Sequence, residues 1–188
     1  CLSACSSKPV QHNQDIQEAK GLLKHYQYQY DDFALRQLQA ALKVFTRFDQ
    51  LSLQWSTQFA IANWHGSNQN LKPAQKHAAL ALKLASILQN QGKEYASHIQ
   101  LGQLNNSTAL FKRAQDLASD DIERAVVYTY LEQYETAYRL FSNNTDASNE
   151  DLAFLYYRYG KNQNHLPSVL KARDLYIVTH NKTGVIDS

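Results

Sequence analysis

The sequence predicts an all-α fold built from helical hairpins, and three observations support this prediction. Apolar residues recur every three or four positions along most of the 188-residue chain, as on one face of an amphipathic helix. Only 6 Gly and 3 Pro accompany 44% hydrophobic residues, which disfavours disorder and a sheet protein with many tight turns. A twelve-residue interval between small residues, from Ala125 to Ala137 and from Gly160 to Ala172, recurs at an offset of 35 residues.

The charge balance gives no reason to expect nucleic acid as a partner. The chain has 19 basic and 17 acidic residues, a formal charge of +2, without a basic stripe. We also find no run of about 18 apolar residues that would span a bilayer.

Residues 1–15 are expected to lie outside the folded domain. The chain contains no methionine, which predicts that a segment precedes Cys1. Leu2-Ser3-Ala4-Cys5 resembles a bacterial lipobox, in which small residues precede the lipid-modified cysteine. This resemblance implies that Cys5 carries the lipid, that residues 1–4 are the end of a signal peptide, and that residues 6–15 form a tether.

Other interpretations of the two cysteines remain open. Cys1 could be the lipid-modified first residue of a mature chain, and both choices imply the same anchoring. A Cys1–Cys5 disulfide, or a metal pair completed by His12, is disfavoured because no second cysteine pair exists to complete a known type of site.

The helical domain is predicted over residues 16–180, beginning with two hairpins. The first contains helices at about 16–30 and 33–48, with Asp31 or Asp32 as the N-cap of the second helix. The next contains a helix at about 50–65 and one with Pro73 in its first turn.

Three further hairpins are predicted in the second half of the chain. The third has a short second helix, because only 23 residues separate Gly102 from Ala125. Asp120-x-x-Glu123 resembles a capping box and is predicted to begin the fourth. In the fifth, Asn149 is the expected N-cap and the second helix starts at Pro167, while residues 181–188 form a short tail.

The two copies around Ala125 and Gly160 resemble a pair of tetratricopeptide repeats. The period of that family is about 34 residues, with small residues where two helices touch and an aromatic residue one turn later. Phe141 and Tyr176 occupy that aromatic position, whereas the consensus Trp is replaced by Asp121 and Tyr156. The resemblance implies an α-solenoid, a right-handed superhelix of about five hairpins.

In such a superhelix, first-helix residues line a concave face that binds partner proteins. We call the corresponding positions the predicted groove. Its expected members are Ile122, Val126, Thr129, Tyr130, Phe154, Tyr157, Lys161, Asn164 and His165. The largely apolar lining predicts that the groove takes an apolar helix or extended segment, with Tyr130, Phe154 and Tyr157 as anchors. Alternatively, these side chains pack against the tail at residues 181–188 or against a neighbouring hairpin.

The sequence gives little reason to expect catalysis. The seven histidines show no metal-ligand spacing, and no nucleophile elbow or phosphate-binding glycine loop is present. Acidic pairs fall where helices should begin, where negative charge favours the helix N-terminus. We therefore expect a protein without enzymatic activity, cofactor or metal.

We expect a lipid-anchored scaffold on the periplasmic face of a bacterial outer membrane. It would bind partner proteins during assembly of the envelope, a pilus or a secretion machine. One alternative is a regulator that docks on an enzyme that makes or degrades peptidoglycan. Another is a binder of a glycan or small ligand, because the chain is rich in tyrosine, with 12 residues.

Overall fold

The computed structural model describes residues 8–142, 144 and 147–184, and for residues 8–11 and 180–184 the backbone alone. The described part consists of helices joined by short turns, which confirms the all-α prediction. Its ten helices are α1 (Lys8–Tyr26), α2 (Asp32–Arg47), α3 (Leu51–Ser67), α4 (Leu71–Ile87), α5 (Gln91–Asn105), α6 (Thr108–Leu117), α7 (Asp121–Tyr130), α8 (Tyr134–Phe141), α9 (Asn149–Asn162) and α10 (Leu166–Gly184).

The chain divides into two compact units, Cys1–Ser107 and Thr108–Ser188. Within the first unit, the five helices α1 to α5 pack in succession, each on its neighbour in that unit. Within the second, α6 to α10 also pack in succession, and α7 additionally contacts α9. This pairwise packing of consecutive helices is that of an α-solenoid. The boundary between the units falls inside the third predicted hairpin. Within its own unit, α5 packs on α4, and α6 packs on α7.

The first unit contains a 40-residue repeat that the sequence prediction missed. The α2–α3 and α4–α5 pairs follow the same pattern of burial at this offset: Ala34 and Ala74 are fully buried at equivalent positions, as are Thr57 and Ser97. The triplet Ala-Leu-Lys also recurs, at 41–43 and 81–83. In the first unit, α2, α3 and α4 have 16 or 17 residues, whereas α7 and α8 of the second unit have 10 and 8. The longer helices explain why the period here exceeds the 35-residue offset of the second unit.

Six helices end with the same backbone geometry in the turn that follows them. In each, a residue with positive φ follows the helix, and the next N–H donates to the carbonyl five positions earlier, as Gln50 does to Phe45 at 2.9 Å. This is the Schellman C-cap, which usually contains glycine because a Cβ makes the left-handed conformation costly. None of the six residues is glycine; they are Asp49, Gln69, Gln89, Asn106, Glu132 and Asn164.

The core of the second unit confirms the close contacts predicted from the small residues. Ala125, Ala137, Gly160 and Ala172 are all buried. A Cβ built on Gly160 would lie 2.7 Å from Cγ2 of Val169, so glycine allows α9 and α10 to approach at this point.

The two aromatic residues of the predicted repeat differ in their surroundings. Phe141 is fully buried, but Tyr176, expected to be equally buried, is 58% exposed. The reason is that α9 packs on α8 and covers Phe141, whereas no described helix packs on that side of α10.

The helix boundaries require several corrections. Because α1 begins at Lys8 rather than Ile16, residues 8–15 of the expected tether are helical. The helix α10 continues to Gly184, so residues 181–184 of the expected tail are helical as well. Residues 1–7 and 185–188, including Cys1 and Cys5, lie outside the described residues.

One predicted N-cap and one predicted capping box also differ from the observed contacts. Ser148, not Asn149, caps α9 by accepting the N–H of Asp151 at 3.1 Å. The Asp120 carboxylate caps α7 through the N–H of Glu123 at 2.8 Å. The Glu123 carboxylate, however, accepts from Ser119 at 2.6 Å, whereas a capping box requires it to reach back to Asp120.

Candidate functional site

The α7 members of the predicted groove are part of the core packing in the second unit. Ile122 and Val126 are half-buried and pack against the core cluster of α7 to α10. Thr129 is fully buried, and its hydroxyl donates to the carbonyl of Val126 at 2.7 Å. Thr129 is therefore inaccessible to a partner.

Tyr130 belongs to an aromatic stack inside the second unit. Its ring lies parallel to that of Phe111, with centroids 5.0 Å apart and an interplanar angle of 10°. Phe154 lies 6.0 Å away, and the guanidinium of Arg158 sits 5.4 Å from the Tyr130 centroid. These contacts give Tyr130 a packing role that links α6, α7 and α9.

The α9 members of the predicted groove lie beside an open cleft between α9 and α10. Its volume is about 690 Å³, within the usual range for ligand pockets. We call it the terminal cleft; its lining residues are Glu150, Ala153, Phe154, Tyr157, Val169, Ala172, Arg173 and Tyr176. Phe154 and Tyr157 were predicted as anchors, and the structure brings them together here.

Charges are confined to a few positions around the terminal cleft. Glu150 lies in the first turn of α9, and Arg173 contributes from α10. Lys161 lies beyond Tyr157, with its Nζ 5.9 Å from the tyrosine ring centroid. The cleft can therefore hold an apolar surface and offers one acidic and one basic side chain to orient it.

The remaining members of the predicted groove lie near the α9–α10 turn. Asn164 is exposed and is the left-handed residue of this turn. His165 is also exposed, and its Nδ1 lies 2.8 Å from the hydroxyl of Ser168. Both positions define the turn geometry rather than the lining of the terminal cleft.

A smaller pocket in the first unit was not predicted from the sequence. We call it the aromatic pocket; its volume is about 220 Å³ and it is lined by Gln27, Tyr28, Trp55, Ser56, Phe59, Ala60 and Asn63. The four-residue spacing of Trp55 and Phe59 places both on one face of α3. In the sequence, the feature that could have indicated this pocket is the combination of two aromatic residues with Ser56 and Asn63 on one helix.

Polar contacts hold the aromatic pocket in place. The Trp55 indole donates to the hydroxyl of Ser97 at 3.0 Å, and the Lys93 ammonium lies 4.0 Å from its ring centroid. Burial lowers the pKa of Lys93. The Gln100 side chain donates to Oδ1 of Asn63 at 2.7 Å, which leaves the Asn63 amide N–H groups as donors for a ligand.

Neither a protein-family model nor a curated protein matches the chain. In the described part of the chain, no helix combines the length and apolarity needed to cross a membrane. The same residues contain no group of three or more His, Cys, Asp or Glu side chains placed to hold a metal ion.

Proposed function

We propose that the protein is a non-enzymatic scaffold that binds an amphipathic helix of a partner protein in the terminal cleft. The observation that carries this proposal is the open, largely apolar cleft of about 690 Å³ between α9 and α10. Exposed Tyr157 and Tyr176 stand at its sides, and aromatic residues in such positions commonly dominate binding energy.

A helix is the ligand that fits the shape of the cleft. In the same unit, α9 packs against both α7 and α8, which shows how two neighbouring helices accept a third. The terminal cleft offers an equivalent pair of helices, α9 and α10. A partner helix carrying apolar residues at positions i, i+3 and i+4 could place them between Tyr157 and Tyr176.

Site-specific photocrosslinking in the producing cell tests this proposal. A photoreactive phenylalanine analogue at position 157 should yield a defined adduct with one partner protein. The same analogue at position 30 is the control, because Tyr30 and Tyr157 are 46% and 47% exposed. Tyr176→Glu should abolish the adduct at 157. An adduct of equal yield at both positions, or one unaffected by Tyr176→Glu, would refute binding in the cleft.

We propose further that a lipid at Cys5, or alternatively at Cys1, anchors the protein to the periplasmic face of a bacterial outer membrane. The sequence motif Leu2-Ser3-Ala4-Cys5 supports it. Labelled palmitate should be incorporated into the chain and into Cys1→Ser, but not into Cys5→Ser. The reverse result for the two variants would assign the lipid to Cys1. No incorporation in any of the three would remove the anchor.

The partner class also follows from this proposed location. A scaffold on that surface could serve assembly of the envelope, a pilus or a secretion machine, or regulate an enzyme that makes or degrades peptidoglycan. The identity of the protein crosslinked at position 157 separates these alternatives.

A second candidate function is glycan or small-ligand binding in the aromatic pocket. Trp55 and Phe59 offer apolar ring faces, while Gln27, Ser56 and Asn63 offer hydrogen-bonding groups around about 220 Å³. A glycan array should then give signals that disappear in Phe59→Ala and persist in Tyr157→Ala. Signals retained in Phe59→Ala would place the glycan elsewhere.

A further inference from the structure

The outer side of α9 carries charged and aromatic residues in a definite order. Leu152, Tyr156 and Tyr159 pack into the core from the opposite side of this helix. We call the outer row the α9 stripe; its members, in order along the helix, are Glu150, Phe154, Tyr157, Arg158 and Lys161. Their helical spacing places these side chains on one face, and Lys161 follows Glu150 by eleven positions, about 16 Å along the helix axis.

The aromatic centre of the α9 stripe belongs to the terminal cleft. Phe154 is half-buried, Tyr157 is exposed, and both line this cleft together with Glu150. Arg158 and Lys161 continue the same face beyond the aromatic residues, toward the turn between α9 and α10. The cleft therefore has an acidic residue at one end and two basic residues past the other, with aromatic rings between them.

The three charged groups of the α9 stripe have no salt-bridge partner among the residues that the structure describes. The salt bridges found there lie within α7 and within α10, where Arg173 of the terminal cleft contacts Asp174 at 2.8 Å. Arg158 is half-buried against the ring of Tyr130, and its Nε is buried without a hydrogen-bond acceptor in this part of the chain. A carboxylate brought by a ligand would give this cationic end an ionic partner.

We propose that the partner helix bound in the terminal cleft carries charges complementary to those of the α9 stripe, end for end. It places an acidic residue beside Arg158 and Lys161, apolar residues over the two aromatic rings, and a basic residue beside Glu150, about eleven positions away from the acidic one. This inference rests on the proposed function and adds the direction of binding. A partner helix turned end for end would bring like charges together at both ends, so only one direction is favoured.

Two synthetic helical peptides test the charge order on the purified full chain. Both have leucines in two central turns; the charged peptide has a glutamate near one end and a lysine near the other, and the neutral peptide has glutamine at both positions. Fluorescence anisotropy should show roughly threefold to tenfold tighter binding of the charged peptide, since each exposed ion pair contributes little. The difference should shrink at high salt. Equal affinities would overturn the charge order alone, whereas no binding of either peptide would refute the cleft itself.

Charge reversal on the protein assigns the effect to the α9 stripe. Glu150 and Lys161 are exposed, so Glu150→Lys and Lys161→Glu should each leave the circular dichroism spectrum unchanged and remove the preference for the charged peptide. Lys83→Glu is the matched control, because Lys83 is an exposed lysine of α4 in the other unit. A preference that survives in Lys161→Glu, or one lost equally in Lys83→Glu, would overturn the inference.

The direction of binding is the sharper test, because non-specific attraction between charges has no direction. A photoreactive group beside the glutamate of the charged peptide should label the chain near Lys161. In the double variant Glu150→Lys/Lys161→Glu, position 150 becomes the more basic end of the α9 stripe, and the label should move there. Labelling near the same end in both proteins would overturn the inference.

The adduct formed at position 157 in the producing cell identifies the natural occupant. Its partner segment, mapped by mass spectrometry, should contain acidic and basic residues about eleven positions apart on one helix face. Recovery of a lipid, a second copy of this chain, or a segment with charges of one sign would overturn the inference.

Discussion

Gly160 and Val169 are in such close contact that any side chain at position 160 would clash with α10. A Cβ at this position would lie 2.7 Å from Cγ2 and 2.9 Å from the backbone nitrogen of Val169, and 3.0 Å from the carbonyl oxygen of His165. Two of these three atoms belong to the backbone. The absence of a side chain at residue 160 is thus a condition for the spacing of α9 and α10.

We therefore predict that Gly160→Ala destabilises the second unit by about 1–3 kcal/mol, the usual range for overpacking a well-packed contact. Gly160→Leu should cost more. Adding Val169→Ala should recover part of the loss, because it removes the Cγ2 contact and leaves the backbone contacts.

Gly21→Ala is the matched control for the change at position 160. Gly21 also lies within a helix, but nothing lies within 4 Å of its would-be Cβ, so alanine should stabilise α1 by roughly 0.5–1 kcal/mol. Chemical denaturation measures both effects. A loss of stability in Gly21→Ala, or none in Gly160→Ala, would contradict this account.

The indole of Trp55 depends on a single buried hydroxyl for its hydrogen bond. Ser97 is fully buried and accepts from Trp55 at 3.0 Å, which ties α3 to α5. We predict that Ser97→Ala costs about 1–3 kcal/mol, because the indole N–H loses its partner. Ser52→Ala, at an exposed position of α3, should change stability by less than about 0.5 kcal/mol. Equal effects of the two substitutions would show that this hydrogen bond is not important.

Two stacked histidines predict that the first unit loses stability in mild acid. The rings of His65 and His77 are 5.6 Å apart, and Nδ1 of His77 lies 2.6 Å from Oε1 of Gln58. Burial lowers the pKa of His77, and the neighbouring His65 and Lys76 lower it further; burial also lowers the pKa of His65. Both pKa values therefore lie below their ordinary value of 6.5 in the folded state.

The sign of the pH effect follows from these lowered pKa values. Well above pH 6.5 both histidines are neutral in the folded and unfolded states, so their contribution to stability does not change with pH there. As the pH falls, the unfolded chain binds protons first, and the free energy of unfolding decreases until the folded state is protonated too. The melting temperature should fall over this window, and His77→Gln should reduce the fall. A fall of the same size in His77→Gln would exclude the pair as its cause.

A backbone conformation, rather than a side-chain contact, underlies a further prediction. Gln89 has a φ of 49°, a conformation that costs a residue with a Cβ roughly 1–2 kcal/mol. Gln89→Gly removes this cost, although it also raises the entropy of the unfolded chain, so we expect a stabilisation of at most about 1 kcal/mol. Gln39→Gly, at an exposed position within α2, should instead destabilise by about 1 kcal/mol. Opposite shifts in melting temperature for these two variants are the expected result.

The sequence predicts the helices and the small-residue contacts well, because both depend on local periodicity. Ala125, Ala137 and Gly160 needed only their spacing to be identified as contact positions. The sequence does not reveal which exposed aromatic residues face a cavity. Tyr130 and Tyr157 were both expected in the predicted groove, yet Tyr130 stacks on Phe111 while Tyr157 lines the terminal cleft. That difference depends on α6, which the repeat register does not include.

The 40-residue repeat in the first unit was missed for a different reason. Its equivalent positions share burial more consistently than identity or size, as the fully buried Phe45 and Ala85 do. A search for small residues at twelve-residue intervals finds the contacts of the second unit, where the helices are shorter. The longer helices of the first unit lengthen its repeat to 40 residues, an offset that the 35-residue period of the second unit does not predict.

The six Schellman turns have a consequence for how this chain can diverge. A turn that requires glycine is marked by an invariant residue. Here each turn is specified by a φ angle and a backbone hydrogen bond, and Asp, Gln, Asn and Glu all satisfy it. Homologous chains can therefore exchange the residues at these six turns while keeping the same geometry, each at an energetic cost of roughly 1–2 kcal/mol that a helix interior elsewhere must offset. Related proteins should be more readily found by the positions of their left-handed residues than by the identity of those residues.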